Sequence, residues 1–302
     1  MTLLRRLFAF ICLLPFVSSA LAADRVGDFA LLDHTGKFYQ LSYFGDHDAV
    51  VILVDGGDSF AQDGSVAALS KLAQGFSVSA QFWVLNPVTG DRRVDIAQRL
   101  LAADAELPVL MDESQMVAAS LGVESMGEVF VIDPDAMTIL HRGTTASLAE
   151  AMEELAKRGT ISVVQGAKSA GSKVQYAALN QISYTNDIVP ILERNCVSCH
   201  HDGAIGPWSM SSHAMVRGWS PMMREVVMTR RMPPGQIDNH VGKSFQGIAG
   251  LTVAEKQKLI RWIDQGAPRD GKTDPLQALV FDDPKFSLGE PDIVLDVPPQ
   301  KI

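Results

Sequence analysis

The sequence has few cysteines, few basic residues and no long apolar segment beyond its N-terminus. Only three of its 302 residues are cysteines, which excludes a small scaffold held together by disulfides. The 26 Lys and Arg residues are outnumbered by 35 Asp and Glu residues, giving a net charge of −9. That balance argues against a nucleic-acid-binding protein, which needs a basic face. Hydrophobic residues make up 47% of the chain, enough to fill ordinary cores, and the length predicts two domains.

The first residues have the pattern of a secretory signal peptide. Arg5 and Arg6 precede an apolar stretch at 7–17, and the small residues around Ala22 suit signal peptidase. The apolar stretch is too short for a membrane span, which needs about 20 residues. We therefore expect cleavage near Ala22, export to the periplasm and a mature chain without a membrane span. Cys12 would leave with the signal peptide, so that two cysteines remain.

The rest of the chain divides into two blocks with different patterns. In the first block short apolar runs alternate with amphipathic segments, which predicts an α/β sandwich with a mixed central sheet. The second block has short helical patterns between Gly/Pro loops, and a Gly/Ser/Ala-rich segment joins the two. The expected divisions are a signal peptide at 1–23, an α/β domain at 24–158, a linker at 159–182, a small helical domain at 183–275 and a C-terminal extension at 276–302.

Hydrophobic periodicity and turn residues predict the individual elements. The predicted strands of the first block are 49–54, 81–85, 109–111, 129–132 and 138–140, and its predicted helices are 65–72, 94–103, 114–121 and 147–157. The second block is predicted to contain helices at 187–195, 221–229 and 252–265 and a terminal strand at 293–295. Pro221 is expected in the first turn of its helix, and Thr252 with Glu255 predicts a capping box.

Both remaining cysteines lie in one motif, Cys196-Val197-Ser198-Cys199-His200. C-x-x-C-H is the attachment pattern of c-type haem. Two thiols one helical turn apart can each form a thioether with a haem vinyl group, and the histidine that follows can bind the iron. Such attachment takes place outside the cytoplasm, in agreement with the export signal. We predict one haem c, held covalently by Cys196 and Cys199, with His200 as an axial ligand of the iron.

Other uses of the cysteine pair stay open at this point. A redox dithiol of the thioredoxin type would follow a strand of the α/β block, whereas this pair lies in the helical block. A structural zinc site would need two further ligands, and a plain disulfide would not require His200. A thiol–disulfide oxidoreductase that acts through Cys196 and Cys199 is therefore one alternative function.

Several methionines and histidines that follow the motif are candidates for the sixth iron ligand. Met232 is favoured because the two prolines after it end a helix and stiffen the loop that would hold its sulfur. His240 and Met228 are the next candidates. His/Met ligation raises the haem potential and leaves no position open for a substrate, which favours electron transfer. If that position is open, a peroxidase-like haem enzyme is the alternative.

Five stretches of the second block together resemble a bacterial mono-haem cytochrome c domain. These stretches are 184–192, 196–200, 203–207, 229–234 and 262–268. In that family the residues equivalent to Cys196, Cys199 and His200 carry the haem, and the methionine of the R-M-P-P stretch, here Met232, is the distal ligand. The resemblance therefore implies an all-α cytochrome c domain with one haem.

Longer relatives of this cytochrome often continue into a copper-dependent monooxygenase-like domain, and residues 288–295 resemble the lead-in to it. The resemblance implies that the partner is a periplasmic redox protein, a copper-dependent oxidase or monooxygenase. We expect that partner on a separate polypeptide or on a continuation that the sequence lacks.

The strand predicted at 50–54 and the turn after it carry a second resemblance, to a redoxin domain of the thioredoxin-like, peroxiredoxin-related type. Redoxins place their active cysteine after this strand, where the present chain has Ser59, and Gln62 falls where a resolving cysteine could lie. The loop 125–128 also lacks the family's proline. A serine hydroxyl cannot exchange with disulfides or reduce peroxide. We therefore expect a redox-inactive docking or structural module beside a cytochrome that transfers single electrons.

Overall fold

The computed structural model describes residues 25–58, 60–162, 165–178, 181–238, 240, 250–281, 289–296 and 298. The predicted signal peptide with Cys12, the serine at position 59 and the leucine at position 288 lie outside these ranges. Within the described part of the chain, none of the helices combines the length and the apolar character that crossing a membrane requires.

Strands and helices alternate through the first domain, as the sequence predicts. The strands are β1 (Ala30–Leu32), β2 (Phe38–Gln40), β3 (Ala49–Val54), β4 (Ala80–Asn86), β5 (Val109–Met111), β6 (Val129–Asp133) and β7 (Thr138–Gly143). The helices are α1 (Ser65–Leu72), α2 (Arg93–Ala102), α3 (Met116–Ser120) and α4 (Thr145–Arg158). Five strands form one sheet in the order β5-β4-β3-β6-β7, in which β3 is parallel to β4 and antiparallel to β6. The prediction of an α/β sandwich with a mixed sheet is confirmed.

The middle of this sheet is β3, in which all six residues are buried. A continuous apolar run suits a strand that is covered on both faces. Val50 and Ile52 pack into one hydrophobic core, whereas Val51 and Leu53 pack into the other, because successive side chains of a strand point to opposite faces. The first of these cores continues into the helical domain as far as Trp262. The two domains therefore share packed apolar surface.

The hairpin of β1 and β2 has no clear signal in the sequence, since three-residue strands are too short to establish an alternating pattern. Helix α3 is shorter than the predicted 114–121, because the Asp112 carboxylate accepts hydrogen bonds from the Met116 and Ala118 N–H groups and begins the helix later.

Residues 159–182, predicted as a linker, lie along the first domain where the structure describes them. Lys173 pairs with Ser125 in an isolated bridge. The Tyr176 hydroxyl donates to the Val123 carbonyl at 2.7 Å. The described residues of this segment are therefore packed on the α/β domain, although the segment is rich in glycine, serine and alanine.

The described residues beyond 183 form helices. They are a π-helical turn (Tyr184–Ile188), α5 (Val189–Asn195), α6 (His213–Met228), α7 (Val253–Asp264) and a 3-10 turn (Pro275–Ala278). The capping box predicted for α7 is present, since the Thr252 hydroxyl accepts from the Glu255 N–H at 3.2 Å and the Glu255 carboxylate accepts from the Thr252 N–H at 2.9 Å.

Two predictions for the second block are wrong. Helix α6 begins at His213, so Pro221 lies inside it and not in its first turn. The missing N–H of Pro221 would leave the Arg217 carbonyl without a donor, but the Ser220 hydroxyl donates to that carbonyl at 2.8 Å. Residues 293–295 form no strand, since these exposed side chains have no ladder with any strand that the structure describes.

Candidate functional site

The C-x-x-C-H motif occupies the turn that follows α5. The N–H groups of Cys199 and His200 both donate to the Cys196 carbonyl, each at 3.1 Å. Cys196 is partly buried against the core, whereas Cys199 is exposed, and the two are not joined by a disulfide. Both thiols are therefore available for covalent attachment.

The ring of His200 is oriented by the loop that follows the motif. Its Nδ1 atom lies 3.0 Å from the Trp208 carbonyl oxygen. Because a carbonyl can only accept, Nδ1 carries the proton, and the lone pair of the neutral ring is on Nε2. The Met210 N–H donates to the His200 carbonyl at 2.7 Å, which folds the loop back over the motif. This is the arrangement typical of a histidine that binds a metal through one ring nitrogen and is held by the other.

Gly206 allows this loop to approach the motif closely. Its N–H donates to the Cys199 carbonyl at 2.6 Å. A Cβ atom at this position would overlap that carbonyl and lie 2.7 Å from the Nδ1 atom of His200. Only glycine fits here without displacing the histidine. The Gly206-Pro207-Trp208 sequence shortly after the motif is the signal from which these positioning roles could have been found.

One face of α6, which we call the α6 apolar face, carries large exposed side chains next to His200. It consists of the exposed Met215, Trp219 and Met222 and the partly buried Val226, which lie on one side of the helix. Trp219 stacks on Trp208 at 5.4 Å, and Trp208 lies 5.2 Å from the His200 ring, measured between ring centroids. About half of the Met222 side chain is exposed. This face offers an apolar surface to a flat hydrophobic group attached at the motif.

Met232 lies at the far end of the α6 apolar face. Its N–H donates to the Val226 carbonyl at 3.0 Å. The side-chain amide of Gln236 donates to the carbonyl oxygens of Met232 and Pro233, each at 3.1 Å. The backbone of the loop is thus fixed, while 39% of the Met232 side chain is exposed.

The structure brings the three motif residues together but does not join them directly to Met232. Met232 lines a cavity of about 360 Å³ between the two domains, and none of Cys196, Cys199 and His200 is in the wall of that cavity. The α6 apolar face lies between the two groups. A ligand of both His200 and Met232 would have to cover that face.

The side chains of the other two candidates for the sixth ligand, Met228 and His240, are already occupied by contacts within the protein. Met228 is buried in the core. The Nε2 atom of His240 lies 2.9 Å from the Glu113 carboxylate, and its Nδ1 atom lies 3.1 Å from that of Asp238. Met232 is therefore the most available of the three.

In the first domain, the turn after β3 is organised by a carboxylate. The side chain of Asp55 is buried and accepts hydrogen bonds from the N–H groups of Gly56 and Ala61, at 2.8 and 2.9 Å. Burial raises the pKa of Asp55 to about 6. Gln62 donates to the Asp58 carbonyl at 2.5 Å. No thiol is present in this turn, because the chain has none between positions 12 and 196.

No known family profile and no curated protein match the chain. Solved structures with a similar fold include a hypothetical protein from Sinorhizobium meliloti 1021, with 21% identity, a TM-score of 0.46, and coverage of 52% of this chain and 95% of that chain. A peroxidoxin from Mycobacterium tuberculosis has 24% identity, a TM-score of 0.39, and coverage of 45% and 96%. An exposed lipoprotein thioredoxin from Streptococcus pneumoniae has 20% identity, a TM-score of 0.36, and coverage of 42% and 99%. These similarities concern the thioredoxin-like α/β fold over about half of the chain and do not extend to its activity.

Proposed function

We propose that this protein is a periplasmic mono-haem c-type cytochrome that transfers single electrons. Cys196 and Cys199 would hold the haem covalently, and His200 and Met232 would bind its iron. The observation that carries the proposal is the contact of the His200 Nδ1 atom with the Trp208 carbonyl. That contact leaves the lone pair of Nε2 available to bind a metal. Two thiols that form no disulfide lie beside it in the C-x-x-C-H spacing.

The residues present fit this group in three respects. The two thiols are free to form thioethers, the neutral imidazole is held in one tautomer, and the α6 apolar face can cover a flat apolar ring system. When bound, a haem supplies a one-electron Fe(III)/Fe(II) couple. The chain's own residues would attach it, orient one ligand and exclude water from its face.

Met232 would supply the second protein ligand of the iron. Its thioether is a soft ligand, and the hydrogen bonds from Gln236 fix the backbone on which it is carried. A methionine ligand raises the haem potential and leaves no site for a substrate. These properties suit an electron carrier better than the peroxidase-like alternative.

The thioredoxin-like domain would act as a docking or structural module. The turn that carries the active cysteine in redoxins is organised here by the Asp55 carboxylate. We propose that the electron partner is a periplasmic redox protein, a copper-dependent oxidase or monooxygenase.

A thiol–disulfide oxidoreductase is the second candidate, favoured by two free thiols in C-x-x-C spacing with Cys199 exposed. In such enzymes the attacking thiol has a lowered pKa. Burial instead raises the pKa of Cys196 to about 12, with the neighbouring Cys199 adding to the rise. Cys196 is therefore a poor nucleophile in the haem-free chain.

Haem attachment tests the proposal. The full sequence is expressed with its export signal in a host that attaches haem c, and the periplasmic protein is examined as its pyridine haemochrome. We expect one haem per chain, lost in the Cys196→Ala/Cys199→Ala variant and retained in Cys12→Ala, a matched control in the predicted signal peptide. A wild-type protein with two free thiols and no haem would favour the oxidoreductase.

A further inference from the structure

The cavity beside Met232 is a cleft between the two domains with charged walls. Its volume of about 360 Å³ is in the range of small-molecule pockets. The charged residues that line this interdomain cleft are Arg93 and Glu113 from the first domain and Arg230, Asp238, His240 and Lys256 from the second. Four of these six side chains can carry a positive charge, which is unusual in a chain of net charge −9.

Some of these side chains are already paired with one another. The Arg93 guanidinium donates to both carboxylate oxygens of Asp238, at 2.5 and 3.2 Å. The His240 ring contacts the Glu113 carboxylate at 2.9 Å. Both pairs cross from one domain to the other, so they also fix the width of the cleft.

Arg230 and Lys256 have no direct partner of this kind, although the carboxylates of Asp238 and Glu113 act on Arg230 and that of Asp112 acts on Lys256. Within the described part of the chain, neither side chain has a hydrogen bond or an ion pair, and the Nε atom of Arg93 is buried without a hydrogen-bond partner. Burial lowers the pKa of Lys256 to about 8, partly opposed by the charge of Asp112 and reinforced by that of Arg230. Both side chains are partly enclosed in the cleft, where an anion could accept hydrogen bonds from them and from the buried Nε atom of Arg93.

The secondary structure adds to the positive potential of the cleft. Lys256 lies in the first turn of α7, and Arg93 is the first residue of α2. The N-terminal end of a helix carries a partial positive charge. Two helix N-termini and two unpaired cations therefore meet around the same cavity.

We propose that Arg230 and Lys256 bind a ligand with two carboxylate groups in the interdomain cleft, with Arg93 completing the site from the first domain. Guanidinium and ammonium groups are the usual partners of carboxylates, and within the described part of the chain these two still have their hydrogen-bond donors unused. The carboxylates have two possible sources. One is a free dicarboxylate. The other is the pair of haem propionates, since Met232 lines the same cleft, and this source alone rests on the proposed function.

Calorimetric titration with succinate, at constant ionic strength set with chloride, tests the site on the full exported chain. The haem-loaded protein and the haem-free Cys196→Ala/Cys199→Ala variant are titrated side by side. Lys256→Gln and Arg230→Gln remove the two cations, and Arg261→Gln is the matched control, being on the same helix but outside the cleft. The reduction potentials of the haem-loaded Lys256→Gln and Arg261→Gln proteins are measured as well.

If the natural ligand is a free dicarboxylate, the haem-loaded protein binds succinate. Lys256→Gln and Arg230→Gln then weaken succinate binding about tenfold or more, whereas Arg261→Gln does not. If the propionates occupy the site, only the haem-free chain binds succinate, or Lys256→Gln lowers the reduction potential relative to Arg261→Gln. Absence of succinate binding in both forms, together with equal potentials, overturns the proposal. If the wild-type chain holds no haem, its own succinate titration still decides the site separately from the proposed function.

Discussion

The Nδ1 atom of His200 lies 3.0 Å from the carbonyl oxygen of Trp208, eight residues further along the chain. This contact assigns the ring proton to Nδ1 and the lone pair to Nε2. Gly206 makes it possible by passing closer to the histidine than any residue with a Cβ atom could. The motif alone would not orient the ring, so this loop belongs to the site as much as the cysteines do.

Gly206→Ala should displace His200. The added methyl group would lie 2.7 Å from Nδ1, and relief of that overlap is expected to cost about 1–3 kcal/mol of unfolding free energy and to lower haem content. Gly218→Ala is the control, because a Cβ there meets no atom within 4 Å and alanine favours the α6 helix. Urea unfolding and haem content of both variants give the comparison. Equal stability of the two would contradict the role of Gly206.

Met232→Ala should change the haem without unfolding the protein. Loss of the thioether is expected to lower the reduction potential and to abolish the sulfur-to-iron absorption band. His240→Gln should leave both unchanged, because His240 contacts Glu113. Visible spectra measure the absorption band, and redox titrations measure the reduction potential of each variant. A shift in His240→Gln but not in Met232→Ala would identify His240 as the ligand.

Asp55 should make the protein less stable as the pH rises. Burial raises its pKa to about 6, above the unfolded value of about 4, so the folded state binds the extra proton between these values. The free energy of unfolding therefore falls from about pH 4 to pH 7, and Asp55→Asn should reduce that fall by up to about 3 kcal/mol. Denaturant unfolding at several pH values measures the slope, with Asp58→Asn, exposed in the same turn, as the control. An unchanged slope in Asp55→Asn would refute this assignment.

The ion pair of Arg93 with Asp238 should stabilise the contact between the domains. Both side chains are largely buried, and Arg93→Met would leave the Asp238 carboxylate without its main partner. We expect a loss of about 1–3 kcal/mol in the free energy of unfolding. Arg92→Met is the control, since the neighbouring pair of Arg92 with Asp95 is exposed and should contribute little. A double-mutant cycle with Asp238→Asn isolates the pair, and a coupling energy near zero would contradict the prediction.

The two thiols of the haem-free chain should differ in reactivity. A pKa of about 12 leaves the partly buried Cys196 with about a thousandfold less thiolate at neutral pH than an ordinary cysteine. Iodoacetamide should therefore modify the exposed Cys199 first. Mass spectrometry of peptides along the time course gives the two rates. Faster modification of Cys196 would support the thiol oxidoreductase.

Much of the first domain could be predicted from the sequence, because its strands are continuous apolar runs between turn residues. Strand β3, helix α1 and strand β5 have the predicted bounds. The start of α6 could not be predicted in this way. Pro221 is a helix breaker by itself, and only the Ser220 hydroxyl, which donates to the Arg217 carbonyl, allows the helix to continue through it.

The candidate site also has a part that the sequence predicts and a part that it does not. The C-x-x-C-H motif is local, so its residues and spacing can be read directly from the chain. The interdomain cleft brings together Arg93, Glu113 and Lys256 from distant positions, and no sequence pattern indicates that they meet. Such a site depends on how the two domains pack, which is a property of the shared core and not of any single motif.

Covalent haem attachment is tested most directly by the intact mass of the exported protein together with its pyridine haemochrome. We predict a chain cleaved near Ala22 that carries one covalently bound haem, which survives acid–organic extraction and is absent from the Cys196→Ala/Cys199→Ala variant. A chain recovered from a haem-attaching host at the mass of the unmodified polypeptide, with both thiols free, would contradict it.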